Sequence, residues 1–216
     1  MPRKAETVDL DALADNVARS PGARTLVAIA GPPGSGKSTF AEALASRLNA
    51  SAAESAAVLP MDGFHFDDRV LERLGQRARK GAPETFDVAG LRHMLHRLQR
   101  NEDAEIAVPV FDRDLEIARA GARLIGRAVR HVIVEGNYLL LDRAPWSDLH
   151  RCFDVTVMLA EPEAILRERL TRRWRDLGLS AEAITAKVEG NDMLNARLVL
   201  SESVEPQFLV RTSPER

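Results

Sequence analysis

The stretch Thr25-Leu26-Val27-Ala28-Ile29-Ala30-Gly31-Pro32-Pro33-Gly34-Ser35-Gly36-Lys37-Ser38 changes character at Gly31. Its first six residues are largely apolar and partly β-branched, a run short enough for a strand buried on both faces of a parallel sheet. The next eight match G-x-x-x-x-G-K-[ST], and Lys37 to Leu48 follows as a helix, so the phosphate-loop motif has the flanks it requires. Glycines let the backbone turn tightly enough to aim several N–H groups at phosphate oxygens, and the positive end of the following helix adds to the attraction. Lys37 is then placed to reach β- and γ-phosphates, and the Ser38 hydroxyl to ligate Mg²⁺. A dinucleotide fingerprint fits less well, because Gly31, Gly34 and Gly36 do not follow G-x-G-x-x-G.

Outward from this loop, apolar runs at Ala56 to Met61, His131 to Val134, Val155 to Leu159 and Phe208 to Val210 predict further strands, with a short one at Ile106 to Val110. Helical spacing is visible at Leu10 to Val17, Val70 to Leu74, Val88 to Leu98, Glu163 to Leu177, Ala181 to Glu189 and Met193 to Leu200. The alternation predicts an α/β fold built on a parallel sheet, in a single domain over 1–216. Residues 1–22 form a helical preface, and Arg77 to Thr85, with Gly81 and Pro83 among basic residues, is a candidate active-site loop.

In open parallel sheets ligands lie beyond the carboxyl ends of the strands, so acids that terminate apolar runs there are candidates for chemistry. Asp62 follows Ala57-Val58-Leu59-Pro60-Met61, and Glu135 follows His131-Val132-Ile133-Val134. Beside a bound nucleotide, one carboxylate can accept a proton from a substrate hydroxyl while another organises magnesium.

These motifs extend to Met61-Asp62-Gly63-Phe64-His65, Arg79-Lys80-Gly81-Ala82-Pro83, Pro109-Val110-Phe111-Asp112-Arg113 and Glu135-Gly136-Asn137-Tyr138. In this order they resemble the uridine kinase, phosphoribulokinase and bacterial pantothenate kinase family, and within it short bacterial proteins labelled fructose transport system kinases or pantothenate kinase-like. The resemblance runs from about residue 24 to about residue 211. It implies a doubly wound parallel sheet of P-loop kinase type with helices on both faces, ATP as donor, Mg²⁺ as cofactor and a small hydroxylated acceptor such as a sugar, a nucleoside or a pantothenate-like alcohol. It also implies nucleotide binding by Gly31, Pro32, Pro33, Gly34, Ser35, Gly36, Lys37, Ser38 and Thr39, and metal binding by Ser38 and Glu135. Asp62 falls at the general base, and His65, Lys80, Arg113, Glu135 and Tyr138 fall at the acceptor. Asp-Gly-Phe-His stands where uridine kinases have an Asp-Ser-Phe-Tyr type of pattern, so the acceptor's identity does not carry over.

Arg167, Arg169, Arg172, Arg173 and Arg175 crowd one helical pattern, and Arg169 shares a face with Arg172 and Arg173. A lid over about 162–190 would use Arg169 and Arg173 to neutralise the transferring phosphoryl group; a solvated face stitched by Glu163 with Arg167 and Glu168 with Arg172 is the plainer reading. Asn191 and Asn195, one turn apart, are further candidates for substrate or lid contact.

The chain has 216 residues with 30 Lys and Arg against 32 Asp and Glu, which offers no bulk cationic field for nucleic acid or a membrane surface. No apolar run is long enough to span a bilayer and no signal peptide is evident, so a cytoplasmic location is expected. Cys152 is the single cysteine and reads as a core residue. A regulatory GTPase would need Asn-Lys-x-Asp, which is absent. A P-loop ATPase acting on a macromolecule stays open as the second reading; the oligomeric state does not follow from the sequence.

Overall fold

Among the described residues there are eight strands, and β2 (Thr25–Ala30), interior to the main sheet, is buried at every residue as its apolar run predicts. In the computed structural model, which describes residues 4–212, the others are β1 (Glu6–Thr7), β3 (Ala56–Pro60), β4 (Glu105–Asp112), β5 (Ile117–Gly126), β6 (His131–Gly136), β7 (Val155–Leu159) and β8 (Phe208–Val210). Six of them form one sheet in the order β1-β8-β7-β2-β6-β3, with every pair parallel. Register brings the functional strand ends together: Ala30 lies level with Gly136, and Pro60 with Glu135. The phosphate loop, the turn that carries Asp62 and the end of β6 therefore open on one edge of the sheet.

Helices α1 (Leu10–Ala18), α2 (Lys37–Ser51), α3 (Asp68–Arg73), α4 (Val88–Arg100), α5 (Glu163–Asp176), α6 (Ala181–Lys187) and α7 (Met193–Glu202) complete the α/β arrangement. Side chains alternate across a strand, so Val27 and Ile29 join one core with Leu13 and Val17 of α1 and Leu44 and Leu48 of α2. Leu26 and Ala28 enter the opposite core with Leu91, Leu95 and Leu98 of α4, Tyr138 and Trp146. Full burial of one such Leu or Ile contributes roughly 1.5–3 kcal/mol relative to leaving it exposed. A third, smaller cluster belongs to α5–α7 and their connections: Leu166, Leu170, Ile184, Val188, Met193 and Ala196. Cys152 is buried in the α4-side core, as expected of a packing residue.

The structure corrects the sequence reading in three places. The short strand expected at Ile106 to Val110 is longer, and it pairs with β5, an antiparallel partner that was not expected. Most of β5 is exposed and rich in Ala, Gly and Arg, so no two-residue apolar rhythm marks it. The strand predicted over Ala56 to Met61 gives way at Met61 to a 3₁₀ turn, Met61–Phe64. The helix predicted over Ala181 to Glu189 stops at Lys187 and widens into a π-helical turn, Val188–Asp192, a local expansion often found at functional sites. No helix among the described residues is long and apolar enough to cross a membrane.

Candidate active site

Gly31 to Gly36 connect β2 to α2, and the loop rim opens on a cavity of about 770 Å³, within the ~300–1,000 Å³ usual for small-molecule sites. Pro33, Gly34, Gly36, Lys37, Ser38 and Thr39 line it, whereas Gly31, Pro32 and Ser35 stand behind that rim. Gly31 packs on Leu159, whose carbonyl would lie 2.8 Å from any added Cβ, and Pro32 accepts a hydrogen bond from Lys37 Nζ at 2.9 Å. These three residues shape the loop and do not face the cavity. Lys37 is buried, and that burial lowers its pKa, with the charges of Glu135 and Asp62 acting the other way.

Ser38 Oγ donates to Glu135 Oε1 at 3.2 Å, which joins the start of α2 to the end of β6. Glu135 is buried; loss of solvent and then the nearby Asp62 charge push its pKa up. The pair offers hard oxygen donors, and Mg²⁺ in phosphoryl-transfer sites is held by one or two carboxylates together with phosphate oxygens. Among the described residues no group of three or more His, Cys, Asp or Glu converges as a preformed cage. This donor set fits a magnesium ion that arrives with the nucleotide.

Asp62 occupies the 3₁₀ turn after β3, lines the same cavity and meets Arg113 Nη2 at 3.1 Å. The turn is seated against the hairpin. A Cβ on Gly63 would lie 2.5 Å from the Pro109 carbonyl at the irregular register of β4. No side chain fits there, which gives a physical reason for glycine where the related pattern has serine. His65 closes the turn: its Nδ1 is 2.8 Å from the Asp62 carbonyl, so that nitrogen carries the proton, and its ring packs on Phe86 and Phe111. Burial lowers the His65 pKa and favours the neutral ring.

Lys80 links the candidate loop to its surroundings. Its Nζ donates to Asp68 Oδ1 and to the Glu116 carbonyl, each at 2.7 Å, and lies 5.2 Å from the centre of the Phe111 ring. Asp68 also takes Arg77 at 2.8 Å. Asn191, in the π-helical turn, donates to the Lys80 carbonyl at 3.2 Å and accepts from Asn195 at 3.3 Å, and both amides line the cavity.

Tyr138 requires a correction. It is fully buried, packs on Phe86 and Trp146, and donates from its hydroxyl to the Gly81 carbonyl at 2.6 Å. It supports the candidate loop at Gly81 from within the core and does not line the cavity. The arginines also divide. Both Arg169 and Arg173 line the cavity, but Arg169 Nη1 is 3.4 and 3.5 Å from the carbonyls of Gly34 and Ser35, whereas Arg173 feels Arg113 and Asp62 across the cavity, its pKa lowered mainly by burial. The alternative pairs Glu163 with Arg167 and Glu168 with Arg172 do not form: Glu163 pairs with Arg197 of α7, and Arg167 with Glu189.

Sequence reasoning missed Trp174, Asp192 and Lys187. All three line the cavity; Trp174 donates to Asp192 at 2.6 Å, and Lys187 lies 4.7 Å from its ring centre. A tryptophan inside a run of arginines was the available signal.

Residues 26–208 match the Phosphoribulokinase / Uridine kinase family. The chain belongs to that family. A Schizosaccharomyces pombe protein provisionally named a uridine kinase is 33% identical over 195 residues, covering 87% of this chain and 83% of that one. Escherichia coli YggC is 36% identical over 199 residues, covering 91% and 81%. A crystal structure from Silicibacter sp. TM1040, provisionally named a fructose transport system kinase, superposes with a TM-score of 0.87 at 43% identity and covers 94% of this chain and 98% of its own. Family membership makes this chain a P-loop kinase, an ATP-dependent phosphotransferase with an alcohol group on a small molecule as acceptor.

Proposed function

We propose that the chain transfers the γ-phosphoryl group of ATP to one hydroxyl of a neutral polyhydroxy metabolite, a sugar or a nucleoside, with Asp62 as general base. The observation that carries this reading is the convergence of Lys37, Asp62 and Glu135 on one cavity from three different strand ends. Lys37 and the loop amides hold the phosphates, Ser38 and Glu135 would hold Mg²⁺, and Arg173 approaches the transfer point from α5. Bound magnesium would neutralise charge on the phosphate oxygens. Arg113 must part from Asp62 for the carboxylate to receive a proton. That pair is half exposed on the arginine side, and exposed pairs contribute only about 0–1 kcal/mol.

Charge at the acceptor end favours a neutral acceptor over a pantothenate-like acid. Lys80 and Arg77 are matched by Asp68 and Glu116, so neither stands as an unpaired cation for an acidic acceptor, whereas Arg113, released when Asp62 acts, can donate to an acceptor hydroxyl. His65, Lys80, Asn191 and Asn195 leave hydrogen-bonding groups for hydroxyls, and Phe111 offers a ring face. Incubating the protein with ATP, magnesium and a panel of sugars, nucleosides and hydroxy acids tests this, read as a mass gain of one phosphate. A neutral hit supports the reading. A hit confined to acids sinks the neutral class, and ATP turnover stimulated only by a macromolecule sinks the small-molecule assignment.

A further inference from the structure

Glu161 lies in the short link between β7 and α5, and its side chain is 1% exposed. A carboxylate removed from water this completely persists only with charged or hydrogen-bonding partners. Two of these come from the chain's far end: Thr212, just after β8, donates its N–H to Glu161 Oε1 at 2.8 Å and its hydroxyl to the same oxygen. Arg169 of α5 brings Nη1 to 3.9 Å from that oxygen and donates to Thr212 Oγ1 at 3.2 Å. The cluster faces the phosphate loop: Arg169 Nη1 lies 3.5 Å from the Ser35 carbonyl and donates to it, while Thr212 Oγ1, also 3.5 Å from that carbonyl, spends its one proton on Glu161 and accepts from Arg169.

A trans peptide is planar, with its C=O and N–H directed oppositely. Holding the Ser35 carbonyl therefore turns the Gly36 N–H the other way, and Gly36 lines the cavity. The neighbouring Ser35 N–H is already committed to the Pro32 carbonyl at 3.1 Å. Orientation of the Ser35–Gly36 peptide thus depends on groups outside the loop.

We propose that Glu161, acting through Arg169 and Thr212, is a positioning residue that sets the Ser35–Gly36 peptide for phosphate binding. Arg169 then belongs with the phosphate loop, and Arg173 is the arginine that meets the transferring group. The inference rests on the reading that this loop binds nucleotide phosphates.

Calorimetric titration with ADP and magnesium, and separately with pyrophosphate, tests it on the full chain. Glu161→Gln keeps an acceptor for Thr212 but removes the charge that holds Arg169. Thr212→Val removes only the hydroxyl, and Arg169→Lys keeps the charge but loses the planar fork. The expected result is a loss of about tenfold in affinity for Glu161→Gln and Arg169→Lys, less for Thr212→Val, and equal for ADP and pyrophosphate. If Glu161→Gln does not fold, the other two variants carry the test. Unchanged affinities in all folded variants overturn the proposal. So does a loss for ADP without one for pyrophosphate, which would place these residues at the nucleoside. A wild-type chain that binds neither ligand overturns the underlying nucleotide reading, an outcome distinct from both.

Discussion

Asp62 is reached through a turn, and the base role proposed for it depends on where that turn holds it. Asp62→Asn keeps the size and much of the hydrogen bonding to Arg113 but cannot take a proton at neutral pH. Turnover of the true acceptor should fall by roughly 10²–10⁴-fold, while calorimetric ADP affinity changes little; an equal fall in both would assign Asp62 to magnesium instead. Tyr138 makes a different prediction, since it acts through the Gly81 carbonyl and touches no ligand. Tyr138→Phe should lower stability by about 0.5–1.5 kcal/mol and raise the acceptor KM with little change in the KM for ATP. Urea melts beside two-substrate kinetics would show it. Both residues stood out in the sequence at motif positions, but their roles did not separate there. A motif records that a tyrosine follows Glu-Gly-Asn; burial decides whether it faces a ligand or a loop.

Among the elements, α5 carries the clearest contrast between activity and stability. Arg173→Ala should lower turnover while the thermal midpoint stays nearly unchanged, because a cation on the cavity wall supports charge on a phosphoryl group more than it supports the fold. A loss of activity that follows unfolding would place Arg173 in the scaffold. The parallel strands and phosphate loop were legible because burial on both faces forces continuous apolar runs such as Thr25–Ala30. Strand β5 was not, since a hairpin lying over a turn buries little of its own side-chain surface and leaves Ala118 to Arg123 without a rhythm. The π-helical turn was equally hidden: one extra residue in a helix changes no composition, yet it carries Asn191 to the Lys80 carbonyl.

At the scale of the whole molecule, buried groups pull stability in opposite directions on mild acidification: Glu135, raised by burial to about 7, adds stability as pH falls through that value, whereas the buried histidines remove it. Burial lowers the pKa of both His65 and His131, so the unfolded chain takes up protons that the native chain refuses. The associated stability is present above the unfolded histidine value of about 6.5 and is lost as pH falls through the lower native values. His131→Gln removes one histidine share, so between about pH 7.5 and about pH 5 the urea midpoint of that variant should fall less, or rise more, than that of the wild type; the same pH dependence in both would contradict it. The small separate core of α5–α7 has one more consequence. Six buried side chains detached from the two sheet cores give this region its own melting unit, and the connection at Leu177 and Gly178 is exposed. A protease should cut there before it cuts the sheet, releasing a long amino-terminal fragment. Nucleotide should slow that cut, because the phosphates would tie Arg173 to the loop after β2 and knit the cap to the body.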